Sequence, residues 1–402
     1  MISGESILYF GPEPWDSMWR NRHHLLSRLA RANRVLYVEP RPFTYEVRGG
    51  LRRGELSLAD LRSAGPAAVA ENLWVYRSPR YAPVGGPPPL RAVTRRLRQL
   101  DLRRALRRLG MSEPILWLSH PSQADVRLDL GGRRLARLRV YHIVDEYLGY
   151  YGLSEAQRAS WVAREQALID WADLVVVVSP ALLETKGQGN PKFRLLPNGV
   201  DAAAYQQEPA PAPPPALANL PRPILGYIGL ISVRLDLALL DALAADHPEW
   251  TWALIGTVYR EGCADALDRL AARPNVHLLP RAPASQIPAY VRQFDVGLAP
   301  YRVTEETHHA SPLKIYEYLA AGLPVVSADI PGARAFEEVV AIASGRPDWD
   351  GALRAALTQR SPAAVAARQA AIAAHTWDAR VETLSGFLVD ALAHTPSQRG
   401  DR

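Results

Sequence analysis

The 402-residue chain contains a single cysteine, Cys263, so it cannot form an intrachain disulfide bond. It also lacks any apolar run close to the ~20 residues that a membrane-spanning helix needs. Its beginning, MISGESILYF, has neither a basic stretch nor a long apolar stretch, which predicts no signal peptide. These absences argue against a disulfide-stapled secreted protein and against an integral membrane protein. We therefore expect a cytoplasmic protein.

Lysine is nearly absent, because all basic residues except Lys186, Lys192 and Lys314 are arginines. The formal net charge of +6 is uneven, since residues 90–110, LRAVTRRLRQLDLRRALRRLG, hold eight arginines and one aspartate. Apolar residues recur there at helical spacing, which predicts a basic amphipathic helix. Two interpretations stay open: peripheral binding to the anionic inner face of the plasma membrane, or a surface helix packed on the core. No nucleic-acid partner is expected, because aromatic residues do not interleave with the arginines.

Short apolar segments alternate with helical patterns along both halves of the chain. In the first half, predicted strands include Ser6–Phe10, Arg34–Glu39 and Leu174–Ser179. In the second half, Ile224–Ile228 and Trp250–Ile255 restart the pattern. Such βαβ alternation is typical of parallel, doubly wound sheets. The predicted fold class is α/β, with two doubly wound Rossmann-like domains that face a cleft.

A proline-rich stretch marks the predicted domain boundary. Residues 206–223 read QQEPAPAPPPALANLPRP, which predicts a semi-rigid, extended linker. The predicted units are a first domain over 1–205, a second domain over 224–375, and a C-terminal helical segment over 376–402 that packs back on the first domain. Ligands of such sheets bind at the carboxyl ends of the strands.

The segment 308–331, HHASPLKIYEYLAAGLPVVSADIP, predicts a helix followed by a buried strand. Ser311 is a suitable N-cap and Pro312 suits the first helical position. Gly322 suits the position after the helix, and PVVSA suits a strand of a parallel sheet. Lys314 lies in the first turn, beside free N–H groups and the positive end of the helix dipole, which favours a phosphate site.

Glu317 follows Lys314 by three residues and therefore shares its face of the helix. A carboxylate at this place can accept hydrogen bonds from sugar or ribose hydroxyls beside a phosphate. The alternative is an ordinary capped helix with a solvated lysine and glutamate. The charged first turn and the Gly-Leu-Pro exit into an apolar strand favour a binding site.

Four stretches occur in the order LLPNGVD, ILGYIGLISVRLD, PNVHLLPRAPASQIPAYVRQFDVGLAPY and SPLKIYEYLAAGLPVVS. In this order and spacing they resemble the retaining GT-B glycosyltransferases, especially the family-4-like enzymes of bacterial surface polysaccharide synthesis. The resemblance covers almost the whole chain and is stronger in the second half. It implies that the first domain binds an acceptor and the second a nucleotide sugar.

The resemblance also implies donor-binding residues. Glu317 matches the second acid of the family's Glu-x7-Glu pair, which binds ribose hydroxyls. The first acid falls at His309, where this sequence departs from the pattern, and this leaves the donor sugar open. Gly229 and Arg234 match the glycine and the basic residue that approach the diphosphate. The implied donor-binding set is Gly229, Arg234, His309, Ser311, Lys314 and Glu317.

In the family, a polar residue after a middle strand of the first domain points into the cleft. Asp145, after the strand RVYHIV, is the first candidate for the group that orients or deprotonates the acceptor hydroxyl. Glu146 and His120 are the alternates. Residues after the first strand are candidates for binding the acceptor, and these are Gly11, Arg20, Arg22 and His23.

The sequence thus predicts a glycosyltransferase that moves a sugar from a nucleotide diphosphate sugar to a glycan or lipid-linked acceptor. Retention of configuration follows from the resemblance alone. No cofactor is expected, and no metal, because Asp348 and Asp350 lie outside the signature region. Two alternatives remain: a nucleotide-sugar epimerase on the same fold, and an inactive sugar-nucleotide-binding relative.

Overall fold

A computed structural model describes residues 1–62, 65–126, 136–149 and 152–394 of the chain. Within these ranges, the strands of the first domain are β1 (Ser6–Phe10), β2 (Arg34–Val38), β3 (Pro66–Ala70), β4 (Leu73–Tyr76), β5 (Ile115–Leu118), β6 (Leu138–Ile143), β7 (Leu174–Val177) and β8 (Phe193–Leu195). The strands of the second domain are β9 (Ile224–Ile228), β10 (Thr251–Ile255), β11 (Val276–Leu279), β12 (Val296–Ala299), β13 (Val325–Ala328) and β14 (Val340–Ala343).

Helices connect these strands in both domains. Those of the first half are α1 (Asn21–Leu29), α2 (Thr44–Arg52), α3 (Pro88–Arg108), α4 (Glu155–Trp171), α5 (Pro180–Leu182) and α6 (Ala202–Gln206). Those of the second half are α7 (Pro215–Ala218), α8 (Leu237–Asp246), α9 (Ala264–Ala271), α10 (Ile287–Val291), α11 (Glu305–His308), α12 (Leu313–Ala320), α13 (Pro331–Arg334), α14 (Gly345–Thr358), α15 (Pro362–Ala371) and α16 (Trp377–His394).

The two sheets confirm the predicted α/β class. Their strand orders are β3-β4-β2-β1-β5-β6-β7-β8 and β11-β10-β9-β12-β13-β14. The strands pair in parallel except for β3, which pairs antiparallel with β4 at the sheet edge. The sequence analysis missed β3, whose residues 67–70 are exposed and therefore show no apolar face. β1 and β9 lie centrally, so loops after them open at the carboxyl edges that face the cleft.

The first sheet is buried on both faces. Along β1, Leu8 and Phe10 belong to one apolar cluster, whereas Ile7 and Tyr9 belong to another. This alternation follows from the two-residue period of a strand. Because both faces of the sheet are covered, the strands consist of continuous apolar runs. Such runs are easily recognised in the sequence.

The predicted C-terminal helical segment contacts the first domain. Trp377, Val381 and Leu384 of α16 share a buried cluster with residues of the first sheet. Arg28 of α1 also donates to Asp378, over 3.1 Å between Nε and Oδ2. Residues 395–402 of the predicted segment lie outside the described residues.

The predicted linker is not wholly extended, which corrects the sequence analysis. Its residues 215–218 form the helical turn α7, and Leu217 is buried in the core of the second domain. Arg292 of that domain donates to the Gln207 carbonyl over 2.6 Å. Contacts with the second domain thus make this segment more compact than its proline content alone predicts.

The basic helix α3 spans nearly the predicted residues, and its two halves differ. Leu102 and Leu106 in the second half are buried in the first domain. Leu90, Val93 and Leu97 in the first half are 42%, 56% and 37% exposed. The second half therefore packs on the core, as one of the two interpretations predicts, and membrane binding by the first half stays a prediction. No helix among the described residues is both long and apolar enough to cross a membrane.

Candidate functional site

The cleft side of the second domain begins at the carboxyl end of β9. Gly229 follows β9 with φ +141°, a conformation that L side chains rarely adopt, and its N–H donates to the Ile255 carbonyl over 2.9 Å. A Cβ atom at this position would lie 3.3 Å from Cε and 3.4 Å from Nζ of Lys314. Glycine therefore allows the backbone turn to approach the lysine ammonium closely.

Helix α12 carries Lys314 in its first turn, as predicted, but it begins one residue later than expected. Its N-cap is Pro312, and no side chain caps the helix, so the prediction of Ser311 as N-cap is wrong. The Ser311 carbonyl accepts from Asn198 Nδ2 over 2.7 Å. The absent cap leaves the first N–H groups of α12 without a side-chain partner.

The end of α12 agrees with the sequence analysis. Gly322 has φ +73°, and its N–H donates to Leu319, while the Leu323 N–H donates to Tyr318. This pair of bonds is the Schellman motif that a glycine at this position permits. It ends the helix and turns the chain into β13, the strand that PVVSA predicted.

Two tyrosines hold the Lys314 ammonium. It lies 4.8 Å from the ring centre of Tyr227 and 4.7 Å from that of Tyr301, and it donates to the Tyr301 hydroxyl. Both aromatic faces stabilise the cation. The result is a fixed positive charge at the N-terminal turn of α12, beside Gly229.

Glu317 lies one turn further along α12. Its carboxylate lies near the phenol of Tyr205, which is on α6. Burial raises the pKa of Glu317, although the neighbouring Tyr205 phenol and the Lys314 charge oppose this rise. A nucleoside ribose would have to share or replace the Tyr205 contact.

Arg234 joins the two domains. Its Nη1 lies 3.4 Å from Oδ2 of Asp145 in the first domain, and its Nε lies 3.2 Å from Oε1 of Glu306 in the second. We call Asp145, Arg234 and Glu306 the cleft cluster. The structure thus brings the candidate catalytic acid and the candidate diphosphate ligand together.

The sequence analysis missed Glu306. This residue lies on the four-residue helix α11, three positions before His309, and is 8% exposed. Burial raises the pKa of its carboxyl to about 7; the Arg234 charge opposes this rise, and the Asp145 charge adds to it. Glu306 could have been predicted from the sequence, because it is a carboxylate one helical turn before the position where the resemblance requires an acid.

His309 is buried at the end of α11. Its Nδ1 lies 2.7 Å from the Glu305 carbonyl, and its own carbonyl accepts from the Ser179 hydroxyl over 2.8 Å. A carbonyl only accepts, so the ring proton is on Nδ1 and Nε2 carries the lone pair. Nε2 is buried without a hydrogen-bond partner among the described residues. His309 therefore offers an acceptor atom where the family has a carboxylate.

The two alternates to Asp145 have other partners. Glu146 forms an ion pair with Lys186 over 3.0 Å and accepts from the Leu148 N–H over 3.1 Å, so it belongs to the interior of the first domain. His120 Nδ1 accepts from the Ser122 N–H over 3.1 Å, and burial lowers the pKa of this histidine to about 4. Neutral His120 then carries its proton on Nε2, which makes it a hydrogen-bond donor and not a base.

The four residues predicted to bind the acceptor are mostly engaged in packing. A Cβ at Gly11 would lie 1.8 Å from the Tyr37 hydroxyl, so this glycine serves the interior. His23 accepts from the Arg20 N–H at Nδ1 and lies 3.0 Å from the Trp15 carbonyl at Nε2, which uses both ring nitrogens.

The two arginines of this set share one carboxylate. The Arg22 side chain is 4% exposed and lies 2.5 Å from Glu13, whereas the Arg20 side chain is 42% exposed and lies 3.5 Å from the same carboxylate. Of the predicted acceptor-binding residues, Arg20 is the one with a largely accessible charge.

A small pocket opens beside Gly229, where the two domains meet. Its second-domain lining follows β9, β10 and β11 and is mainly apolar. Met18 and Trp19 of the first domain line its other side. Arg281 lines the same cleft and donates to the Ser17 carbonyl over 3.0 Å. An apolar slot at the strand ends suits a flat nucleobase.

Comparison with known proteins finds similarity to glycosyltransferases. Residues 222–368 match the family described as Glycosyl transferases group 1. A Bacillus subtilis (strain 168) protein named as a teichuronic acid biosynthesis glycosyltransferase, TuaH, is 28% identical over 183 residues. That alignment covers 44% of this chain and 46% of TuaH, so it spans less than half of the relative's length.

Solved structures match over nearly the whole chain. Sucrose-phosphate synthase from Thermosynechococcus elongatus has a TM-score of 0.71 and 16% identity, and the match covers 97% of this chain and 99% of that one. The catalytic domain of starch synthase IV from Arabidopsis thaliana, bound to ADP and acarbose, has a TM-score of 0.64, 12% identity and coverage of 98% and 100%. These likenesses establish the GT-B fold. Together, the domain, the relative and the fold support a glycosyltransferase and do not favour the epimerase alternative.

Proposed function

We propose that the protein transfers a sugar from a nucleotide diphosphate sugar to a glycan or lipid-linked acceptor in cell-surface polysaccharide synthesis. The observation that carries the proposal is the close approach of Gly229 to Lys314 at the start of α12. A backbone turn without a side chain, a fixed ammonium and a helix N-terminus suit a diphosphate. The name of the relative TuaH supports the surface-polysaccharide role.

The proposed donor site uses residues from several elements. The base would occupy the apolar slot near Arg281, the ribose would meet Glu317, and the diphosphate would meet Gly229, Lys314 and Arg234. The unpartnered Nε2 of His309 would accept a hydrogen bond from a donor hydroxyl. Ser311 would contribute as part of the turn that precedes α12.

The proposed chemistry needs stabilisation of a departing diphosphate. Lys314 and the N-terminal turn of α12 supply positive charge in fixed positions, which is the usual source of such stabilisation. We propose that this charge acts without a metal or another cofactor and that the configuration is retained, as the resemblance implies. Asp145 would orient or deprotonate the acceptor hydroxyl, and His120 Nε2 would donate to a substrate oxygen.

The first test is the thermal stability of the purified protein with UDP, GDP, ADP or TDP. A nucleotide at about 100 times its dissociation constant should stabilise the fold by roughly 2.7 kcal/mol. Glu317→Ala should abolish most of the shift, because it removes the predicted ribose contact, while the exposed control Glu338→Ala should keep it. A folded wild-type protein that responds to none of the four nucleotides would overturn the proposal.

We also propose that the acceptor is reached at an anionic membrane surface. The exposed Leu90, Val93 and Leu97 lie on the arginine-rich helix α3, and apolar insertion combined with basic charge is how such helices bind membranes. Wild-type protein should co-sediment with vesicles containing phosphatidylglycerol and less with phosphatidylcholine alone. Serine at all three positions should abolish this binding, whereas Val389→Ser, at an exposed site on α16, should not.

A further inference from the structure

The charge balance of the cleft cluster is unsuited to a diphosphate. Arg234 is the cation of the cluster, and it lies within 3.4 Å of Asp145 and 3.2 Å of Glu306. With both carboxyls ionised, the cluster has a net charge of −1. The diphosphate of the proposed donor would add further negative charge at the same place. A donor that binds Arg234 must therefore meet like charge, and like charges close together favour protonation of one carboxyl.

Glu306 is the carboxyl that packing confines. Its side chain is 11% exposed. On the other side of the cleft, Gly149 lies so close that a Cβ there would be 3.0 Å from the Glu306 backbone nitrogen and 3.1 Å from its Cα and Cβ. The first domain thus packs against the backbone of Glu306 and helps to bury this residue. Asp145 differs, because its Oδ1 already accepts from the Glu146 N–H over 3.0 Å.

The electrostatic surroundings of Glu306 agree with this distinction. Burial raises the pKa of Glu306 to about 7, against the Arg234 charge and together with the Asp145 charge. The neighbouring element of the first domain, residues 147–149, adds Tyr147, whose hydroxyl donates to the Ser119 carbonyl. On its own segment, His309 is held through Nδ1 by Glu305. Among these groups around Glu306, Arg234 is thus the cation that would exchange the Glu306 carboxylate for a diphosphate.

Resting on the proposed function, we propose that Glu306 is a positioning residue that releases Arg234 to the donor diphosphate and takes up a proton from solvent as the donor binds. The ionised carboxylate becomes a neutral carboxylic acid, and no other bond changes. Arg234 then pairs with the diphosphate in place of Glu306. The neutral carboxyl keeps a hydrogen-bond donor in the site without repelling the phosphates.

Calorimetric titration of the full chain tests this, using whichever of UDP, GDP, ADP or TDP stabilises the protein in the thermal measurement. The titrations are run between pH 7.5 and 9, where the nucleotide phosphates are fully ionised, in two buffers that differ in ionisation enthalpy. We expect net proton uptake approaching one per nucleotide, and an affinity that falls about tenfold per pH unit.

Glu306→Gln is a neutral near-isostere of the protonated state. It should bind the nucleotide about tenfold more tightly than the wild type at pH 8.5, with no proton uptake. Glu305→Gln, one residue earlier on α11 and exposed, should behave as the wild type. A role for Glu306 in structure alone would not remove the proton uptake or flatten the pH profile.

The outcomes separate the two proposals. Nucleotide binding without proton uptake in the wild type would overturn the role of Glu306 and leave the proposed function standing. No nucleotide binding at any pH would overturn the proposed function itself. The wild-type measurement decides the matter even if Glu306→Gln does not fold.

Discussion

Asp145 and Glu146 are neighbours in the chain, but their carboxylates belong to different ion-pair clusters. Glu146 joins Lys186 and Glu165, with Lys186 Nζ 3.0 Å and 2.7 Å from the two carboxylates. We call these three residues the core cluster, since their side chains are at most 10% exposed and all come from the first domain. Asp145 joins the cleft cluster, whose members come from both domains.

The two clusters have the same composition, one cation and two carboxylates, and yet differ in what they can do. The ammonium of the core cluster is enclosed, so no ligand can exchange for its carboxylates. Arg234 of the cleft cluster is 24% exposed and lies where a substrate enters. Charge composition therefore does not decide whether a buried ion pair has a structural or a functional role. What decides it is whether a ligand can replace one of the partners.

The largest effect is expected from breaking the core cluster. Lys186→Met leaves Glu146 and Glu165 buried without their cation and should lower the free energy of unfolding by about 3–5 kcal/mol. Urea denaturation measures this loss. The control Lys192→Met should change stability by less than ~0.5 kcal/mol, because this lysine is partly exposed and forms no ion pair within the described part of the chain. A loss below ~1 kcal/mol for Lys186→Met would mean that the core cluster is not structural.

The equivalent change in the cleft cluster should act on binding. Arg234→Met should weaken nucleotide affinity by about 1.5–3 kcal/mol, because a charge-assisted contact with the diphosphate is lost. Its effect on unfolding should be smaller than that of Lys186→Met, since its partners lie nearer to solvent. Isothermal titration gives the affinity and urea denaturation the stability. Unchanged affinity would remove Arg234 from the donor site.

The smallest effect concerns the pH dependence of stability. The pKa of Glu306 is about 7 in the folded protein against 4.5 as its ordinary value, so the folded state holds the proton more tightly than the unfolded state. Folding stability therefore falls as pH rises from about 4.5 to 7 and is constant above this range. Glu306→Gln should escape this fall and gain about 1–2 kcal/mol relative to wild type between pH 4.5 and 7.5.

Urea denaturation at pH 4.5, 6 and 7.5 measures this difference. Glu305→Gln is the matched control, because its carboxylate is exposed on the same helix and should show no such trend. A stability difference between Glu306→Gln and wild type that stays constant with pH would contradict the raised pKa of Glu306.

Sequence patterns within a few residues correctly predicted those strands and helix ends that depend on neighbouring residues alone. Buried parallel strands such as β1 and β13 appear as apolar runs, and Gly322 ends α12 because only a residue without a Cβ adopts its conformation easily. Ser311 shows the limit of this approach. No side chain caps α12, and the Ser311 carbonyl accepts from Asn198 of the first domain, a contact between residues that are distant in sequence.

The candidate site was predicted in part for the same reason. Lys314 and Gly229 belong to motifs whose spacing is readable, and the structure places them together. Glu306 was missed because its significance depends on Arg234 and Asp145, which are distant in sequence. Glu146 was a plausible alternate to Asp145 until its ion pair with Lys186 was known, and His120 was a plausible base until the Ser122 N–H was found to occupy its Nδ1.

The sequence by itself determined the parallel strands, the two-domain alternation and the lysine in the first turn of α12, because hydrophobic period and helix signals are local. Only the tertiary structure decided which carboxylates face the cleft, which arginine joins the domains, and which histidine nitrogen lacks a partner. These properties depend on contacts between residues far apart in the chain. Burial and charge proximity, which set the protonation of Glu306, exist only after the two domains have come together.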